Sequence, residues 1–172
     1  SASSSMTGAF WQLPTNTMCR SCQAWAKCIG DDFFRCSQIL AIAVCDVIGT
    51  PSLREVKAHQ THLAEASIEI ALGLMRSEIA KRYKLRDDRP LLSPLGLGKL
   101  GGRGMDYHSD LDLVLVYSDG PDVSKSVTNA ELFSKAVEIF TTALSGMTRR
   151  GNLYRVDLRL RPYGKNGPTA NP

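Results

Sequence analysis

Asp110-Leu111-Asp112-Leu113-Val114-Leu115-Val116-Tyr117 is the stretch on which the fold turns. Strand side chains alternate between faces, so a strand here sets Asp110 and Asp112 on one side and Leu111, Leu113 and Leu115 on the other. Two carboxylates then stand side by side on an element that is otherwise core. Holding them so near an apolar layer costs on the order of several kcal/mol unless something positive compensates, and a bound cation is the simplest partner. Hard oxygen ligands of this kind suit Mg²⁺, which takes one or two carboxylates and completes its shell with substrate phosphates and water.

Working outward, Gly96-Leu97-Gly98-Lys99-Leu100-Gly101-Gly102 precedes this strand. Its glycines permit close backbone approach to phosphates, and Lys99 adds a positive charge. The stretch is neither a Walker loop nor a dinucleotide fingerprint. Downstream, Tyr154 to Leu160 alternates strictly, with Tyr154, Val156, Leu158 and Leu160 facing one way and Arg155, Asp157, Arg159 and Arg161 the other. Asp157 is thereby expected to join the acidic pair from a neighbouring strand. Three carboxylates can hold two ions that serve the attacking and leaving oxygens of an in-line displacement at phosphorus. Arg155, Arg159 and Arg161 would balance that charge and bind phosphate oxygens. Taken alone, Asp-x-Asp fits better a strand whose polar face is simply wet; the glycine turn and the arginine-flanked third strand shift the reading towards chemistry.

The remaining segments supply a frame. Asp32 to Val47 is dominated by apolar residues and predicts a buried helix ending before Gly49. Ser52-Leu53-Arg54-Glu55 matches a capping box and opens a long helix to about Tyr83. Its apolar residues fall in two stripes, one of Leu53, Val56, Leu63, Ile70 and Leu74, the other of Ile68, Leu72, Met75, Ile79 and Tyr83. His59 and His62 on this helix read as polar surface. Leu91 to Leu97 predicts the first strand, and Thr128-Asn129-Ala130-Glu131 caps a third helix that runs to Met147. The order helices, strand, strand, helix, strand gives an α/β or α+β domain, a small mixed sheet with N-terminal helices packed against it.

The chain's 172 residues, 43% hydrophobic, suffice for one ordinary domain. Residues 1–8 read as a flexible terminus or cloning remnant, 9–50 as a helical segment and 51–172 as the core. A net charge of +4 suits a nucleotide but is weak for a dedicated nucleic-acid binder. No apolar run approaches the roughly 20 residues that span a bilayer, and no secretion signal opens the chain, so a soluble, cytoplasmic protein is expected. Five cysteines, Cys19, Cys22, Cys28, Cys36 and Cys45, are an odd number crowded into the first third; reduced thiols are the expectation, and a zinc site is disfavoured because Cys28 and Cys36 do not form a second Cys-x-x-Cys.

Leu100-Gly101-Gly102, seven residues, then Asp110-Leu111-Asp112-Leu113 resembles the signature of the polymerase-β-like nucleotidyltransferases. Together with Gly96 to Arg103, Tyr107 to Leu113 and Tyr154-Arg155-Val156-Asp157-Leu158-Arg159-Leu160-Arg161-Pro162, it resembles the catalytic domains of glutamine synthetase adenylyltransferase. The resemblance implies that AMP moves from ATP to a tyrosine hydroxyl of glutamine synthetase, or is removed by phosphorolysis. It implies two Mg²⁺ ions on Asp110, Asp112 and Asp157, with Asp157 also helping to deprotonate the acceptor. Gly101, Gly102, Ser109 and Lys99 would hold the β,γ-phosphates. Family members carry an adding and a removing domain. Arg103 to Tyr107 resembles the adding one, while Gly167-Pro168 is also at home in the removing one. The family's domains continue into further helices, so the resemblance implies a core cut short at Pro172. Two alternatives stay open: a catalytically silent nucleotide-binding regulatory module, and a nucleotidyltransferase with another acceptor.

Overall fold

Two capping boxes set the helical frame. Helix α1 spans Asp31–Ile48 and α2 spans Leu53–Tyr83; ahead of α2, Ser52 Oγ accepts from the Glu55 N–H while the Glu55 carboxylate accepts from the Ser52 N–H at 2.7 Å. The helix ends at Lys84, whose left-handed φ of 53° turns its N–H onto Ala80 O. Beyond the sheet strands, the helix over Asn129–Ser145 starts from the same device, built by Thr128 and Glu131. The computed structural model describes residues 31–49, 51–85, 92–117, 128–146, 153–160 and 170, without the side chains of 31–36.

Strands β1 (Ser93–Gly96), β2 (Leu111–Val116) and β3 (Val156–Asp157) form one sheet in the order β1-β2-β3. A single helical turn, α3 (Gly98–Gly101), follows β1, and the Asn129–Ser145 helix is α4. β1 and β2 are antiparallel and β2 and β3 parallel, so the sheet is mixed, as the sequence led us to expect. Leu111, Leu113 and Leu115 are wholly buried in a core shared with Ile68, Leu72, Met75 and Ile79 of α2 and Phe140 and Leu144 of α4. At the end of β2 the Tyr117 ring stacks on Phe133 of α4, centroids 3.9 Å apart.

Three expectations need correction. The α1 segment is not a buried helix: Ile42 packs on Val56 and Leu63 of α2, with Ile39 and Tyr107 at the margin, while Leu40, Val44, Val47 and Ile48 are exposed. α1 thus rests on α2 and on Tyr107, and of these two helices α2 is the one that shares the core of the sheet. The two-stripe reading of α2 holds for Ile68, Leu72, Met75 and Ile79 along its length, but the stripe of Leu53, Val56, Leu63, Ile70 and Leu74 is buried only where α1 covers it, at Val56 and Leu63; Leu53 and Leu74 are exposed. Third, the strand expected from Tyr154 to Leu160 is short. The Asp157 carboxylate accepts the Arg159 N–H at 2.9 Å, which turns the chain and leaves Leu160 58% exposed. Among the described residues no helix is long and apolar enough to cross a membrane.

Candidate functional site

The parallel register of β2 and β3 sets Leu111 against Val156 and Asp112 against Asp157. Because paired residues share a face, two carboxylates from distant parts of the sequence become neighbours on the side of the sheet opposite the buried leucines. Asp110 lies exposed just before β2 begins.

The glycine turn closes over Asp112. The Leu97 N–H donates to Asp112 O at 2.8 Å, so the turn leaves β1 alongside Asp112. Gly98 then adopts a φ of +52°, and a Cβ at that position would collide with Asp112 Oδ2. Only glycine meets both demands: the left-handed conformation and backbone against carboxylate. A Cβ on Gly101 would fall 2.5 Å from Gly96 O. The N–H groups of Gly101 and Gly102 donate to Leu97 O and Gly98 O at 2.9 and 3.0 Å, so what these two glycines leave open is space rather than donors.

Lys99 does not stand alone in solvent. Its Nζ lies 2.8 Å from Asp106 Oδ2, and Lys57 of α2 reaches the other oxygen at 3.6 Å. The Lys99 ammonium, followed by Lys57, holds the Asp106 carboxyl below its ordinary value. Ser109 locks the same segment from the other side, its Oγ accepting the Asp106 N–H at 2.9 Å and its N–H donating to Asp106 O at 3.1 Å. Its hydroxyl hydrogen is still a donor.

Asp157 is engaged by Arg159. Its Oδ1 accepts from the Arg159 N–H and Nε, and its Oδ2 from Nε and Nη2. This charge-assisted fork lowers the Asp157 carboxyl to about 2, and Asp157, with smaller contributions from Asp112 and Asp110, raises the guanidinium in turn. Arg159 is therefore the positive group that compensates the acidic row, while Arg155 is exposed and Arg161 lies outside the described residues.

Among the described residues no group of three or more His, Cys, Asp or Glu side chains is gathered closely enough to hold a metal ion. The donor chemistry nevertheless fits Mg²⁺. Asp112 and Asp157 supply two adjacent carboxylates, the number this ion takes when phosphates complete its shell, and bare Gly98 backbone borders Asp112. Reaching such an ion requires Asp157 to turn away from Arg159.

Four residues outside the site set expected from the sequence complete the surroundings: Lys57, His62, Arg103 and Asp106. Arg103 has a left-handed φ of 52°, and its Nη2 lies 2.8 Å from His62 Nε2 and 3.7 Å from Glu65. His62 is exposed, as expected; His59 is half-buried, and burial first, then the nearby His62, pulls its pKa down. The Met105 N–H donates to Thr61 Oγ1 at 3.4 Å, and the Tyr107 hydroxyl donates to Asp46 Oδ2 of α1 at 2.9 Å. Residues 103–107 are thus docked on α2 and α1. No spacing rule links Lys57 to Asp106, because only the tertiary fold brings them together. Among the described residues Cys45 takes part in no disulfide; Cys19, Cys22 and Cys28, and the side chain of Cys36, lie outside the described residues.

A sequence model of the glutamate-ammonia ligase adenylyltransferase family matches residues 32–172. Proteins named bifunctional glutamine synthetase adenylyltransferase/adenylyl-removing enzyme match as well. That of Nitrosomonas eutropha is 38% identical over 142 residues, covering 77% of this chain and 15% of the relative. That of Burkholderia mallei is 36% identical over 136 residues, 74% of this chain and 15% of the relative. That of Thioalkalivibrio sulfidiphilus is 35% identical over 146 residues, 78% of this chain and 15% of the relative. The chain therefore spans about 15% of the length of these curated relatives.

Proposed function

The chain belongs to the glutamate-ammonia ligase adenylyltransferase family, and from that premise we propose that its open sheet face is a Mg²⁺-dependent nucleotidyltransferase site, moving AMP from ATP to a tyrosine hydroxyl of glutamine synthetase or removing it by phosphorolysis. The observation that carries the proposal is the register of Asp112 with Asp157 beneath the Gly98 backbone. It joins the Asp-x-Asp strand, the third carboxylate and the glycine turn in one place.

Asp110, Asp112 and Asp157 would hold two Mg²⁺ ions, which when bound offset the charge of the triphosphate and of the leaving pyrophosphate. The chain's own groups do the rest. Gly98, Gly101 and Gly102 leave room for the phosphates to approach the turn, and Lys99 with the Ser109 hydroxyl binds their oxygens. Arg159, 71% exposed, exchanges its carboxylate partner for a phosphate oxygen with little loss of packing, and Arg161 adds a second positive charge. Asp157 would also help to accept the proton of the acceptor hydroxyl. A reaction between ATP and glutamine synthetase places the protein in the cytoplasm and requires neither nucleic acid nor membrane.

A second reading follows from the same pairings. With Asp157 bonded to Arg159 and Lys99 to Asp106, the site also suits a nucleotide-binding regulatory module without turnover. Incubation with labelled ATP, Mg²⁺ and glutamine synthetase separates the readings. Label on the synthetase, or label released from adenylylated synthetase by phosphate, is expected. Nucleotide binding with neither outcome would select the silent module, and label on a different acceptor would overturn the choice of partner.

A further inference from the structure

We propose that Asp106 is a positioning residue for the terminal phosphates of the nucleotide, clamping the Lys99 ammonium between the glycine turn and helix α2. The inference rests on the reading of the site as a nucleotide site and adds to it a residue outside its binding set.

Lys99 stands on the turn Gly98–Gly101 with its side chain 58% exposed. An unheld lysine of that kind must surrender its rotamer freedom when it binds a phosphate. Asp106 removes that freedom beforehand. Its Oδ2 takes the Lys99 ammonium at 2.8 Å, and its Oδ1 faces Lys57 of α2 at 3.6 Å. Asp106 is itself fixed by the reciprocal backbone bonds to Ser109, and the preceding segment is docked on α2 through Arg103 with His62 and Met105 with Thr61. The bridge thus runs from α2 through Asp106 to Lys99 and to the entry of β2. Asp106 stays ionised well into the acid range, since both lysines hold its carboxyl below the ordinary value.

Stability does not account for this arrangement, because ion pairs as exposed as these contribute little. Net charge does not account for it either: a carboxylate beside a site for a polyanion repels the ligand. Positioning and Coulomb repulsion therefore predict opposite signs when Asp106 is neutralised, which makes the substitution decisive.

Mg·ATP is titrated calorimetrically into the full 172-residue chain and into Asp106→Asn, Asp106→Glu, Lys99→Met and the Asp106→Asn/Lys99→Met double variant, with thermal melts in parallel. Asp106→Asn should weaken binding by about five- to tenfold, the scale set by the freedom Lys99 regains. The melt should barely move. Asp106→Glu should recover most of the loss, and the double variant should bind no more weakly than Lys99→Met, because the two residues act through one ammonium. Asp106→Asn binding as tightly as the parent, or more tightly, overturns the inference, as do additive losses in the double variant or a failure of Asp106→Glu to recover affinity. A parent chain that does not bind Mg·ATP overturns the nucleotide reading and this inference with it, an outcome distinct from the others.

Discussion

On one face of β2, Leu111, Leu113 and Leu115 are wholly buried between α2 and α4; one residue away on the other face, Asp112 lies beside Asp157 under the backbone of Gly98. The first face is held by many mutually replaceable dispersion contacts, so it determines whether the chain folds. The second is held by a few charge-assisted contacts and one glycine, and on our proposal it determines what the folded chain binds. Stability and binding should therefore separate cleanly between adjacent residues of a single strand.

The largest effect is expected on the buried face. Leu113→Ala removes side-chain volume from the centre of the core and should cost about 2–5 kcal/mol in a denaturant titration. Val114→Ala, half-buried on the other face, should cost under about 1.5 kcal/mol. Equal losses would remove the distinction between the faces.

A smaller cost in stability but a larger one in binding is expected at Gly98. Alanine there must adopt a left-handed backbone, at about 1–2 kcal/mol, and must displace the Asp112 carboxylate it would strike. Gly98→Ala should thus lose Mg·ATP affinity out of proportion to its melting temperature. Retained affinity would mean that Asp112 can move without consequence.

The smallest effect concerns acid. The Asp157 carboxyl sits at about 2 in the fold against an ordinary value of 3.8, so its contact with Arg159 contributes stability above that ordinary value. The contribution is lost as pH falls through about 2. Arg159→Gln should return the carboxyl towards 3.8 in a ¹³C NMR titration of the side chain. An unchanged midpoint would show that other groups hold Asp157.

Much of this was legible in the sequence because it is local. The capping boxes at Ser52 and Thr128 and the alternation of Leu111, Leu113 and Leu115 follow from spacing alone. The acidic face could be read because alternation on two strands puts Asp112 and Asp157 on polar sides; their register could not, since it depends on how β3 docks. The length of β3 was overestimated because the Asp157 side chain competes for the backbone of Arg159, a contact that a hydropathy pattern does not carry. Apolar content suggested a buried α1, yet burial requires a neighbour, and α2 covers only the Ile42 side. Lys57 and Asp106 were not chosen as site residues for a related reason: each is an ordinary surface charge until the fold brings them together.

The central claim is that the Asp112 face binds a magnesium nucleotide. Calorimetric titration of Mg·ATP into the chain and into Asp112→Asn tests it most directly. We expect saturable binding by the parent that disappears in Asp112→Asn, with melting temperatures within a few degrees of each other. Equal binding by both proteins would contradict the account, leaving the aspartates as a solvated strand face.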